Sequence, residues 1–183
     1  MESPVPLCVG NFELPWQEVE RLRGGWLSDP APASAVTESA SSGWLEVNRH
    51  YLQEQRDRST HAMHALMEAL GVDSVETPGE ALDLFEMALR VFSPPEGYRG
   101  HTVRKGSNKL VMVNPFCPIF NALEEHNWRG VTACPSWYIR RGWLDALGVE
   151  ATDFLVTEKK WGYRTCTASI SVESPVAATA SGR

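Results

Sequence analysis

The sequence has no Cys-x-x-Cys pair, no extended run of lysine or arginine, no apolar stretch of membrane length and no glycine-rich phosphate loop. Each absence removes a class of function. Without Cys-x-x-Cys, a zinc ribbon or a thioredoxin-type redox centre has little to rest on. A nucleic-acid partner normally shows as a basic stripe that neutralises phosphates, whereas this chain carries 17 Lys and Arg against 23 Asp and Glu, a net charge of −6. Crossing a bilayer would need about 18 or more consecutive apolar residues, and the start MESPVPLCVGNFELPW has neither the positive region nor the apolar run of a signal peptide. The expectation is a cytoplasmic protein with no nucleic-acid and no membrane partner. No G-x-S-x-G elbow occurs, which disfavours the commonest serine hydrolases. The only cysteines are Cys8, Cys117, Cys134 and Cys166. In a reducing compartment they bear on reactivity or metal binding rather than on disulfides.

With 183 residues, 43% of them apolar and 22% charged, the chain is long enough for one core and short for two. Residues 1–43 read as an N-terminal segment. Pro15 starts a short helix over Trp16 to Arg23, Gly24-Gly25 stops it, and the Ser/Ala/Pro-rich stretch 28–43 reads as a linker or mobile loop. Residues 44–173 read as a single α+β small-molecule-binding domain, and residues 174–183 as a disordered tail. A helix is expected from Trp44 to Leu70, closed by Gly71 as its cap. Thr77-Pro78-Gly79-Glu80 has the form of a capping box with proline at the first helical position, and Ala81, Leu82, Phe85, Ala88, Leu89 and Phe92 follow at helical spacing. Strands are expected at 100–104 and 110–113, and again at 154–158 and 165–172. Helices at 118–126 and 135–147 lie between them. This order predicts an antiparallel sheet of two hairpins with helices packed on one side.

Two places repeat one local design, Phe116-Cys117-Pro118 and Ala133-Cys134-Pro135-Ser136. Proline suits the first helical position, which would put each cysteine at the N-cap. A thiol there faces unpaired backbone N–H groups and the positive end of the helix dipole, which favour the thiolate. Cys117 and Cys134 are therefore candidate nucleophiles, with Cys134 preferred because Ser136 and an arginine-bearing helix follow it. Alternation along the last strand turns Cys166 away from the side of Thr165 and Thr167. Cys117, Cys134 and Cys166 with His126 would be a donor set for zinc. Packing alone is the competing reading for any free cysteine. On the helix after Cys134, Arg140 or Arg141 could grip a substrate carboxylate, and Trp137 and Trp161 could supply an aromatic wall.

The run from Val111 to Val172, with Cys117-Pro118, Cys134 opening the next helix and Gly162 to Cys166 on the final hairpin, resembles the L-2-amino-thiazoline-4-carboxylate hydrolase-like family. That family is similar in turn to the 4-vinyl reductase small-molecule-binding domains. With the helix 78–92 included, the resemblance covers roughly residues 70–172. It implies an α+β ligand-binding fold and, for the hydrolases, ring-opening attack on a C–N bond of a sulfur heterocycle. For related sensor domains it implies zinc held by the cysteines. The linker 28–43 and the tryptophans Trp128, Trp137, Trp143 and Trp161 have no counterpart in that pattern.

His50, Glu54, Asp57, His61 and His64 recur at steps of four and three, and Glu68 continues the line, so one helical face carries all six. A solvated face is one reading. Carboxylate and imidazole ligands of a metal-dependent oxidase are another, although that design needs matching ligands from other helices. His61 and His64 are also candidates for the proton shuttle a thiol nucleophile would use. Taken together, the sequence points to a cysteine-dependent hydrolase or tailoring enzyme acting on a C–N bond of a small carboxylated heterocycle. The alternatives are a non-catalytic ligand-binding or sensor domain with a cysteine metal site, and the carboxylate/His oxidase. The expected partner is a small molecule, homo-oligomer formation is left open, and zinc is the one cofactor the donors suggest.

Overall fold

The computed structural model describes residues 5–27, 44–92, 100–115, 135–160 and 163–175. The linker 28–43, the expected helix at 118–126, and Cys117, His126, Cys134 and Trp161 lie outside these residues. In chain order the elements are β1 (Leu7–Val9), β2 (Phe12–Leu14), α1 (Trp16–Leu27), α2 (Trp44–Leu70), α3 (Pro78–Phe92), β3 (His101–Arg104), β4 (Lys109–Asn114), α4 (Ser136–Ala146), β5 (Val149–Lys160) and β6 (Tyr163–Pro175).

Helix α3 organises the fold. Its buried residues Ala81, Leu82, Leu84, Phe85, Met87, Ala88, Leu89, Val91 and Phe92 cover a wide apolar face, and Asp83, Glu86 and Arg90 line the narrow polar face that remains. The capping box forms as the sequence indicates, with the Glu80 amide donating to Thr77 Oγ1 at 3.2 Å. The Glu80 carboxylate reaches back one residue further than the usual box, accepting from the Glu76 amide at 2.8 Å. Helix α2 also ends as expected. Gly71 takes φ +69°, its amide donates to the Glu68 carbonyl at 3.0 Å, and the Val72 amide donates to Met67 at 2.9 Å. These two bonds satisfy carbonyls that the last turn would otherwise leave open.

The hairpins β3–β4 and β5–β6 join through β4 and β6 into an antiparallel four-stranded sheet of order β3-β4-β6-β5. Its inner face carries Leu110, Met112, Ala168, Ile170 and Val172, all part of the core cluster that includes α3. The other face carries Val111, Val113, Thr167 and Ser169, with exposed Val103, Phe154 and Val156. The architecture is thus α+β, with helices against one face of an antiparallel sheet.

Three features depart from the sequence expectation. Helix α1 continues through Gly24-Gly25 to Leu27 because Trp26 in its last turn packs on Phe92, ring centroids 5.5 Å apart. A small hairpin, β1–β2, precedes it, turning at Gly10 with φ +57° and packing against the Asp83 side chain where any β-carbon would collide. Through these elements Val9, Leu14, Val19 and Leu22 enter the same core as α3. Finally, β5 and β6 are longer than the alternation suggested, because pairing runs on past the bulge at Glu150/Ala151 to join Val149 with Pro175. Residues 174 and 175 therefore belong to a strand rather than to a tail.

Candidate functional site

Helix α4 begins at Ser136, with Pro135 as its N-cap at φ −67° and ψ −17° and no side-chain capping bond. The ring of Pro135 holds helical geometry, and Cys134, the residue before it, lies outside the described residues. One turn into α4, Arg140 is only 6% exposed. Its Nε donates to Asp153 Oδ2 at 2.9 Å and its Nη2 to Asp153 Oδ1 at 3.1 Å, while Nη1 donates to Ser136 Oγ at 2.9 Å. This bidentate pair joins α4 to β5. Arg141 is half-exposed and donates to Asp145 at 3.1 Å. Trp137 is 38% exposed and stands edge-on to Tyr138, centroids 5.0 Å apart.

Cys166 is half-buried and shares the inward parity of Ala168 and Ile170 on β6, as the alternation predicts. It lies in register with Asn114, the last residue of β4. Cys8 is exposed. Among the described residues no three of His, Cys, Asp and Glu stand together in a way that could hold a metal ion.

The stripe on α2 is real. His50, Glu54, Asp57, His61, His64 and Glu68 are all exposed on one face. Part of it borders an open groove of about 450 Å³, whose described lining is His50, Gln53, Glu54, Asp57, Arg58 and His61. His64 is not among the lining residues. Gln53 Nε2 donates to Asp57 at 2.7 Å, and His61 Nδ1 lies 2.8 Å from the Asp57 carbonyl.

Arg58 links this groove to the interior. Its guanidinium stacks over Trp26 at 4.7 Å and donates to the Trp26 carbonyl. Trp26 packs on Phe92, and Phe92 packs on Trp143 with centroids 6.1 Å apart. On its other side Trp143 meets the edge of Phe85 at 5.4 Å and 77°. Trp143 is 3% exposed, and its Nε1–H has no hydrogen-bond partner among the described residues. Buried indole N–H groups are normally paired, so this donor is the chemical anomaly of the core. In the sequence Trp143 is one tryptophan among seven. The wealth of tryptophan was a signal, but no local pattern says which indole lacks a partner.

No family model matches this sequence, and no curated protein matches it. Among solved structures, the chain is similar to a trafficking protein particle complex subunit 3 from Naegleria fowleri covalently bound to palmitic acid, at 9% identity and TM-score 0.46, over 88% of this chain and 99% of that one. It is similar also to an oxygen-binding H-NOX domain related to soluble guanylate cyclases, at 10% identity and TM-score 0.41 over 91% and 90% of the two chains. An H-NOX domain from T. tengcongensis aligns at 10% identity and TM-score 0.40, over 88% and 97%. Likeness this distant transfers neither ligand nor activity. Among the described residues, no helix is long and apolar enough to cross a membrane.

Proposed function

We propose that this chain is a small-molecule-binding domain that receives its ligand in the aromatic core between α3 and α4, with Arg58 and Trp26 at the outer end. The observation that carries this reading is the unpaired Nε1–H of Trp143 at a position 3% exposed. Leaving a buried donor unsatisfied costs about 1–3 kcal/mol, and a ligand that offers an acceptor recovers that cost on binding. Phe92 and Trp26 close the end of α3 and the end of α1, so ligand entry selects a conformation in which these rings part. The test is thermal unfolding of the full chain against a concentration series of single-ring aromatic compounds. A ligand bound by the folded state raises the midpoint progressively with concentration. If acetophenone and ethylbenzene both leave the midpoint unmoved up to their solubility limits, the reading is wrong.

A second reading, a cysteine-dependent hydrolase acting on a C–N bond of a small carboxylated heterocycle, is favoured by one observation. The inward-facing Cys166 lies opposite Asn114, three residues before Cys117. In this reading Cys134 or Cys117 is the nucleophile, and His61 or His64 carries the proton. Alkylation by iodoacetamide followed across pH decides it. A thiol far more reactive near pH 7 than free cysteine supports it, and ordinary reactivity at both positions removes it.

A further inference from the structure

We propose that the outer edge of β5 is a pairing surface for a second copy of this chain, the two β5 strands running antiparallel about a two-fold axis at Leu155. This interface is independent of the ligand-binding reading. In the sheet order β3-β4-β6-β5, both β3 and β5 are edges, and no strand among the described residues lies beyond β5. Strand β3 has four residues, whereas β5 has twelve and contains neither proline nor glycine. Its pairing with β6 keeps one register from Ala151 to Lys160. A long regular edge of this kind is a template for another strand unless proline, a bulge or unpaired charge defends it. Asp153 points inward from β5, but Arg140 holds it bidentately, so its charge is already offset.

The main chain of β5 is oriented for such pairing. The Val172 amide donates to the Asn108 carbonyl at 2.9 Å, towards the β4 side of β6. Alternation then turns the main-chain groups of Thr167, Ser169 and Ser171 towards β5, where they meet Val156, Phe154 and Thr152. The N–H and C=O groups of Ala151, Asp153 and Leu155 are thereby left facing the edge. In agreement, the Ala151 carbonyl accepts from Arg141 Nη1 at 3.5 Å, a residue of α4 and not of the sheet.

The residues along the edge select both the register and the partner. With Leu155 opposite its own copy, the two residues exchange N–H and C=O bonds across the axis. Phe154, 63% exposed, then meets Val156 of the second copy, 39% exposed, on the outer face, and the axis repeats the pair. Position 150, an acid, falls opposite position 160, a base, at both ends. A shift of two residues either way keeps the outer face outward but sets Glu158 against Glu150 or against Phe154. An edge that is apolar at its centre and oppositely charged at its two ends is complementary to itself, which favours a copy of this chain over another partner.

Sedimentation equilibrium of the full chain, from about 1 to about 500 μM, is expected to show a monomer–dimer equilibrium with a dissociation constant on the order of 10 μM, as suits a small interface. Phe154→Lys changes a side chain that is already exposed, and it should raise that constant at least about tenfold. Glu150→Lys and Lys160→Glu should each weaken the dimer about tenfold, since the axis doubles the effect of like charges set opposite. The combined E150K/K160E chain should return to within about twofold of wild type. In the wild type, the Leu155 amide should exchange with deuterium more slowly at high protein concentration than at low, which tests the surface without any variant. A chain that stays monomeric up to about 500 μM overturns the inference. So does a dimer indifferent to all three single substitutions, or a Leu155 amide whose exchange ignores concentration, since either would mean that another face is used. Single charge changes that weaken the dimer with no recovery in the double overturn the antiparallel register.

Discussion

Gly142 of α4 and Ser59 of α2 touch so closely that a β-carbon on the glycine would stand 2.8 Å from the Ser59 Cβ. The same β-carbon would run into the Arg56 carbonyl. Around this contact the polar groups are satisfied. Ser59 Oγ donates to the Gln55 carbonyl at 2.5 Å, and Thr60 Oγ1 lies 3.1 Å from the Gly142 carbonyl and 3.0 Å from that of Arg56. Arg56 then pairs with Asp145 at 2.6 Å, and Asp145 with Arg141. The crossing fixes α4, and with it the position of Trp143, the next residue.

Gly142→Ala is therefore expected to destabilise the protein by about 1–3 kcal/mol, the usual cost of forcing atoms into a packed contact. Urea unfolding should show a lower midpoint with an unchanged slope. Gly24→Ala is the control. Among the described residues, no atom beyond the adjacent residues and the helix's own backbone lies within 4 Å of a β-carbon there, so the helix-propensity gain of about 0.5–1 kcal/mol should appear instead.

The Arg140–Asp153 pair makes a second prediction. The side chains are 7% and 2% exposed, so removing one partner leaves a buried charge without compensation. Asp153→Asn or Arg140→Leu should each cost about 3–5 kcal/mol, whereas replacing both by apolar residues should restore a large part of the loss. A double-mutant cycle on unfolding free energies measures this. Additive losses would mean that the pair is not coupled.

Two carboxylates on α3 respond to pH in opposite senses. Burial works to raise the Glu86 carboxyl, but hydrogen bonds from Arg90 and Thr102 and the charges of Arg90 and Arg104 outweigh it and hold it below its ordinary 4.5. The stability Glu86 supplies is present above that ordinary value and is lost as pH falls through the depressed one. Asp83 lies above its ordinary 3.8, pushed up by burial and by the charges of Glu86 and Glu80 against the opposing pull of Arg104. Its contribution is present at low pH and is lost as pH rises through the raised value. Glu86→Gln should thus cost about 1–2 kcal/mol at pH 7, and the deficit should shrink towards pH 3. The deficit of Asp83→Asn should instead grow over the same descent. Chemical unfolding at several pH values checks both slopes.

Helices α2 and α3 were readable to the residue, because their signals are local: Gly71 past the last turn, Thr77 and Glu80 around Pro78, and a helical apolar period from Ala81 to Phe92. The two C-terminal hairpins and their place beside the helices were readable from alternation. The β1–β2 hairpin was not, since each of its strands is three residues long and its packing on α2 and α3 is a matter of the fold. Arg140 looked like a solvated or substrate-binding residue because its partner Asp153 is on another element, a pairing no local spacing displays. The α2 stripe was visible as a pattern, yet its exposure was decided by which face of α2 packs on α4. The unpaired indole of Trp143 depends on three elements meeting, so nothing short of the fold could single it out.

Trp143→Phe removes a buried donor that has no partner among the described residues. In the absence of ligand the substitution should leave stability within about 1 kcal/mol of wild type, with the lost contact area offset by relief of the unsatisfied group. A loss of 3 kcal/mol or more, on the scale of deleting a large aromatic side chain, would show that the indole N–H is bonded in the free protein.

The most direct measurement is the indole N–H resonance of Trp143 in ¹H–¹⁵N spectra of the full chain, assigned by its disappearance in Trp143→Phe. The expectation is a proton shift typical of an unbonded indole in the free protein, slow exchange with water, and a saturable downfield move on titration with acetophenone but not with ethylbenzene. A resonance already at a hydrogen-bonded position, or one that exchanges rapidly with water and ignores both compounds, would contradict it.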